Sequence, residues 1–138
     1  MIKLFCGERG SGKTQRMVAD ANAFAEVAKG NVVYLDRDFN RIHDVTRNIR
    51  LVNVKDYGIS DDVQLISFIK GLIAGNADIQ RIYIDSIAKL TGKSIFDLKD
   101  MFKEMAELSG RFDTEFVLTA EGRKEDLPLP LQEYANEQ

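Results

Sequence analysis

Eight consecutive residues, Gly7-Glu8-Arg9-Gly10-Ser11-Gly12-Lys13-Thr14, carry the most specific chemistry in the chain. Their spacing is G-x-x-x-x-G-K-T. An apolar run, Ile2–Cys6, leads into them, and a segment of helical periodicity leads out. Strand, loop and helix in that order make the string a phosphate-binding loop rather than a chance match. Glycines let the backbone curl until successive N–H groups converge on an anion, and the helix adds the positive end of its dipole. The expected binding residues run from Gly7 through Glu8, Arg9, Gly10, Ser11, Gly12, Lys13 and Thr14 to Gln15. Within that run the Lys13 ammonium would reach the outer phosphates, and the Thr14 hydroxyl would be a ligand of Mg²⁺. The ligand implied is a nucleoside triphosphate. No Asn-Lys-x-Asp tetrapeptide is present to read guanine, which favours ATP.

A triphosphate site also needs a carboxylate to hold Mg²⁺ through water, set at the end of another buried strand. Ile82-Tyr83-Ile84-Asp85 has that form, about 70 residues after the loop, so Asp85 is the expected metal-side acid. The next residue is Ser86 and not a glutamate, so a general base for hydrolysis has to come from elsewhere. Acids at the same edge of the sheet are Asp36 and Asp38 after the second strand and Glu121 after the fifth. Each has a plain alternative as a turn residue or cap, Asp38 for a helix beginning near Asn40.

The elements that must position these groups alternate along the chain. Strands are expected over Ile2–Cys6, Asn31–Leu35, Arg50–Val54, Arg81–Asp85 and Glu115–Thr119. Helices are expected over Lys13–Lys29 with Gly30 as its stop, Asn40–Arg47 with Ile42 and Val45 inward, Asp61–Ala74 capped by Ser60, and Ile95–Ser109 closed by Gly110. A linker through Thr91-Gly92 leads from the fourth strand to the helix over Ile95–Ser109. Apolar strands separated by amphipathic helices imply a parallel sheet covered on both faces. The fold class is therefore α/β, a three-layer α/β/α sandwich around a mainly parallel five-stranded sheet.

Composition sets the outer bounds. The chain has 138 residues, 44% of them hydrophobic and 30% charged, enough for one domain with a real core. A net charge of −3 gives no electrostatic case for nucleic acid. The single cysteine, Cys6, excludes an internal disulfide and reads as a small core residue suited to a reducing cytoplasm. No apolar stretch nears the ~18 residues of a membrane span, and no signal peptide precedes the first strand. His43, the lone histidine, reads as a surface or half-buried residue, and Tyr34 and Tyr83 as sheet core.

Over roughly residues 1 to 123 the order of elements resembles the ATPase core of RecA-type recombinases and their RadA-like and KaiC-like relatives. The resemblance rests on the glycine-rich loop, on Tyr34-Leu35-Asp36-Arg37-Asp38 and on Ile82-Tyr83-Ile84-Asp85-Ser86-Ile87-Ala88-Lys89-Leu90. It implies that Asp38 positions the attacking water, where the family usually has glutamate. It also implies a residue after the fifth strand that senses the terminal phosphate, at Glu121, or at Thr119 if the alignment slips. Arg123 and Lys124 would pair with Glu121 or reach a neighbour's nucleotide in trans; a solvated charge run is the plain alternative. The family's strand order would be three, two, four, five, one, leaving the first strand at an edge.

Residues 1–125 are thus expected to form the nucleotide-binding domain, with 126–138 as a tail. Leu127-Pro128-Leu129-Pro130-Leu131 could lie along the first strand, its prolines blocking the outer edge, or form an extended arm on a partner. The function implied is an ATPase requiring Mg²⁺, slow or stimulated by a protein partner or a second copy. A non-hydrolysing ATP-dependent switch and a small-molecule kinase are the rival readings.

Overall fold

The computed structural model describes residues 1–38, 41 and 43–137, with Glu137 described by its backbone. Six strands form one sheet in which every pairing between strands is parallel: β1 (Ile2–Gly7), β2 (Asn31–Asp36), β3 (Ile49–Asn53), β4 (Ile79–Ile84), β5 (Glu115–Glu121) and β6 (Ala135–Glu137). Their order is β3-β2-β4-β5-β1-β6. The first five stand in the order the family resemblance implied. The expected count of five strands is corrected to six.

Alternation along each strand sorts side chains to two faces. On one face Phe5, Val32, Tyr34, Tyr83 and Val117 pack with Met17, Ala21 and Ala25 of helix α1 (Lys13–Val27). On the other, Leu4, Val33, Leu35, Ile82, Ile84, Phe116 and Leu118 meet α2 (Asp62–Gly75), α3 (Ile87–Thr91) and α4 (Lys99–Phe112). The strands are apolar on both faces because both faces are covered. No helix of the described residues is long and apolar enough to cross a membrane.

Several local expectations change for identifiable reasons. The helix expected over Asn40–Arg47 is replaced, where described, by turns at Arg41 and His43–Asp44 and a bend at Val45; Asn40 and Ile42 lie outside the described residues. The Asn22 side chain donates to the Asp44 carbonyl at 2.9 Å and accepts from the Thr46 amide at 2.9 Å. A side chain of α1 thus satisfies backbone groups that a helix would otherwise pair internally. Asp61, one residue later than expected, caps α2 by accepting from the Gln64 amide at 2.8 Å. Gly110 lies inside α4, and Asp113 ends that helix in a left-handed conformation (φ 56°). The stretch read as a linker contains the short α3, which buries Ile87 and Leu90.

The tail differs most. Leu127 and Leu131 turn into the core, and Leu129–Gln132 forms a short helix, α5, so Leu127–Leu131 is not a strand. The pairing with β1 comes instead from β6, in register Leu4↔Ala135, with the Leu4 amide donating to the Tyr134 carbonyl at 2.8 Å. Pro130 falls in the first turn of α5, where its missing N–H costs nothing.

Candidate functional site

Strand parity gathers the polar residues. Positions two apart share a face, so Asp36 follows Tyr34, Asp85 follows Tyr83, and Thr119 and Glu121 follow Val117, all on the α1 side. The start of α1 lies over this edge because the loop from Gly7 to Gly12 turns directly into it. Gly10 (φ 83°) and Gly12 (φ 87°) make that turn in left-handed conformations that side-chain-bearing residues avoid. The Ser11 amide donates to the Glu8 carbonyl at 3.1 Å, closing the loop on itself.

The helix start is electrostatically unbalanced. No side chain caps α1, its first turn holds no acid, and its first residue is Lys13. A cation at the positive end of a helix dipole is unfavourable unless an anion joins it. Among the described residues the ammonium of Lys13 meets only the Glu8 carbonyl, at 3.5 Å. Loop, dipole and lysine together can receive an anion.

Asp85, directly after β4, is buried and backs the opposite wall. Its Oδ1 accepts from Thr14 Oγ1 at 3.2 Å, Thr119 Oγ1 at 3.0 Å and Ser86 Oγ at 3.3 Å. Its Oδ2 accepts from the Tyr34 hydroxyl at 3.2 Å, and Arg41 Nε lies 3.8 Å away. Burial, and then the neighbouring Asp85 charge, push the Tyr34 hydroxyl well above the ordinary tyrosine value of 10.0, so it stays a donor. Thr119 also accepts from the Ser86 amide at 2.7 Å, fixing Ser86 in a left-handed conformation (φ 58°). Such a conformation in a residue with a side chain is a strained feature, of the kind held in place only by surrounding contacts.

Between loop and wall lies a cleft of about 240 Å³, lined by Arg9, Lys13, Thr14, the segment from Ser86 to Lys89, Ala120 and Glu121. Of the residues singled out from sequence, Arg9, Lys13, Thr14 and Glu121 line it; Asp85 does not, and meets the lining through Thr14 and Ser86. Gly7 ends β1 opposite Glu121 and accepts the Gly122 amide at 2.8 Å. Glu8 and Gln15 are exposed and outside the lining. Asp36 is buried, with its carboxylate accepting the Arg37 and Arg41 amides at 2.8 and 3.2 Å, so it holds the loop. Asp38 is exposed in the bend after β2 and outside the lining. Arg123 pairs with Glu125 at 2.6 Å on the surface.

Tyr34, Arg41 and Lys89 carried no functional expectation; Lys89 lines the cleft, while Tyr34 and Arg41 meet Asp85 outside the lining. Parity could have found Tyr34, since its ring is core but its hydroxyl needs a partner. Arg41 had no such signal, because its turn has no periodic pattern.

The donor set suits a hard divalent cation. A hydroxyl and one carboxylate, 3.2 Å apart, are oxygen ligands of the type Mg²⁺ takes, with its remaining positions left to water and phosphate. Among the described residues no group of three or more His, Cys, Asp or Glu side chains gathers to hold a metal unaided. The buried side-chain polar atoms left without a hydrogen-bond partner, among the described residues, are Ser11 Oγ and Arg41 Nε. Arg41 Nε lies 3.8 Å from Asp85 Oδ2, and Ser11 belongs to the glycine-rich loop, where a bound oxyanion would offer an acceptor. No protein-family model matches the chain, and no curated protein matches its sequence.

Proposed function

We propose that the chain is an ATPase of the RecA-like class, binding ATP with Mg²⁺ and releasing the terminal phosphate. The observation that supports it most is the contact between Thr14 and Asp85. Residues 71 apart in sequence meet at 3.2 Å beside an uncapped helix that opens on a lysine. The loop amides and Lys13 would hold the phosphates, and Thr14 and Asp85 the metal, directly and through water respectively. Bound Mg²⁺ supplies charge neutralisation on the phosphate oxygens.

Hydrolysis here is positioning plus charge neutralisation. Water forms a P–O bond at the γ-phosphorus as the bond to the β–γ bridging oxygen breaks, giving ADP and inorganic phosphate, with the water proton passing to an acceptor. Asp36 is committed to its loop, so Asp38 is the candidate for orienting the water and Glu121 for sensing the phosphate. Lys13→Ala should cost about 3–4 kcal/mol of stabilisation, read as loss of MgATP affinity and turnover. Full retention of both in a well-folded variant would refute the assignment.

One observation favours a second reading, a nucleotide-dependent switch without turnover: Asp38 does not line the cleft, whose lining has Glu121 as its carboxylate. Single-turnover measurements across Mg²⁺ concentration and pH decide between the two. Product formation no faster than in buffer selects the switch.

A further inference from the structure

Arg41 holds an unusual position for a surface-loop arginine. Its backbone amide is pinned by Asp36 Oδ2 at 3.2 Å, and its NH1 donates to Asp44 Oδ2 at 3.0 Å. Its Nε faces Asp85 Oδ2 at ion-pair distance, 3.8 Å, yet is buried and makes no hydrogen bond among the described residues. The oxygen it faces is already served by the Tyr34 hydroxyl. Asp85 therefore draws Arg41 to the site without using its Nε–H. Guanidinium N–H groups are strong, directional donors to phosphate oxygens, and a buried one without an acceptor carries a free-energy cost.

The cations on the cleft wall, Arg9, Lys13 and Lys89, approach from the loop and from α3. Arg41, in the turn after β2, lies outside that lining and faces the Asp85 oxygen that does not contact Thr14. Arg123, the arginine that could have acted on a neighbouring molecule's nucleotide, is instead paired with Glu125. Building on the ATPase reading, we propose that Arg41 is a catalytic arginine supplied in cis. It would leave its loose contact with Asp85 and donate to the terminal phosphoryl group as negative charge redistributes during transfer. Such an arginine contributes far more to the transition state than to the bound ground state.

The test separates those two states by binding rather than by turnover. Affinity for MgADP alone, and for MgADP with aluminium fluoride as mimic of the phosphoryl group in transfer, is measured by calorimetry on wild type, Arg41→Ala and Arg41→Lys. The expected result is unchanged MgADP affinity with about a hundredfold or greater loss of mimic affinity in Arg41→Ala, partly restored in Arg41→Lys. Thermal melts of the same samples report folding, and Arg41→Gln serves if alanine unfolds the loop. Equal mimic affinity in wild type and Arg41→Ala overturns the proposal. So does a parallel loss of MgADP and mimic, or wild type that binds MgADP but not the mimic. Wild type that binds no magnesium nucleotide at all overturns the ATPase reading and this inference with it.

Discussion

Two tyrosines on neighbouring strands, Tyr34 and Tyr83, stack with ring centroids 6.0 Å apart, and each hydroxyl donates to a different acid. Tyr83 donates to Asp20 of α1, inside a cluster where Asp20 also takes Lys3 at 3.1 Å and Arg81 at 3.3 Å. Arg81 completes that cluster with Glu115 at 2.7 Å and by lying over the Phe24 ring. Two cations face two acids, and every charged group in it is paired. Tyr34 donates to Asp85, where one acid is met by hydroxyls and by an arginine that makes no hydrogen bond to it. The Asp20 cluster closes on itself and joins strands to helix. The Asp85 cluster stays open at an orphaned donor and a strained Ser86. Arg81 and Tyr83 of β4 belong to the first and Asp85, directly after β4, centres the second, so the difference lies in the partners brought to each end.

Exchanging each acid for its amide tests that contrast most severely. Asp85→Asn should weaken Mg²⁺-dependent nucleotide binding by about 2–3 kcal/mol, as expected for loss of a charged ligand, while shifting unfolding by no more than about 1 kcal/mol. Titrating nucleotide with and without Mg²⁺ measures the first, denaturant melts the second. Asp20→Asn should do the opposite: about 2 kcal/mol lost from folding, because Arg81 and Lys3 lose a partly buried partner, and nucleotide affinity intact. If both variants damaged both properties alike, the division would be false.

Acid titration sharpens the contrast further. Burial opposes the Asp20 charge, but hydrogen bonds from Tyr83 and Lys3 and the charges of Lys3 and Arg81 outweigh it, holding the carboxyl below its ordinary 3.8. A depressed folded value stabilises the fold above about pH 4, and the contribution disappears as pH falls through that value. The stability gap between wild type and Asp20→Asn should therefore narrow from pH 6 to pH 2.5. A gap that stays constant would mean the carboxylate charge is not what Asp20 contributes.

The smallest effect expected is strain relief. Ser86 and Asp113 both have φ near 60°. Glycine at either should raise stability by about 1 kcal/mol, since left-handed backbone disfavours a side chain. Only Ser86→Gly should also change nucleotide affinity, because Ser86 contacts Asp85 and Asp113 merely ends α4. Identical binding by the two variants would remove Ser86 from the site.

Sequence reading reached the α/β class and the run of parallel strands because near-continuous apolar segments and glycine stops are local signals. It singled out Lys13, Thr14 and Asp85 because spacing and a strand-end acid are written in order, and the fold brings Thr14 and Asp85 into contact. It placed β6 wrongly because the leucines of 127–131 serve the core equally well from a helical turn, and β6 has only three residues. Arg41 was illegible for a different reason. Its role depends on Asn22 and Asp36 bending the turn toward Asp85, and no periodicity encodes such a meeting.

The glycine-rich loop hangs from β1, whose register partners begin at Phe116 and Ala135. During synthesis at about 5–20 residues per second, this apolar segment is made on the order of 5–20 s before either neighbour. Through that interval its unpaired backbone groups are open to any other exposed strand.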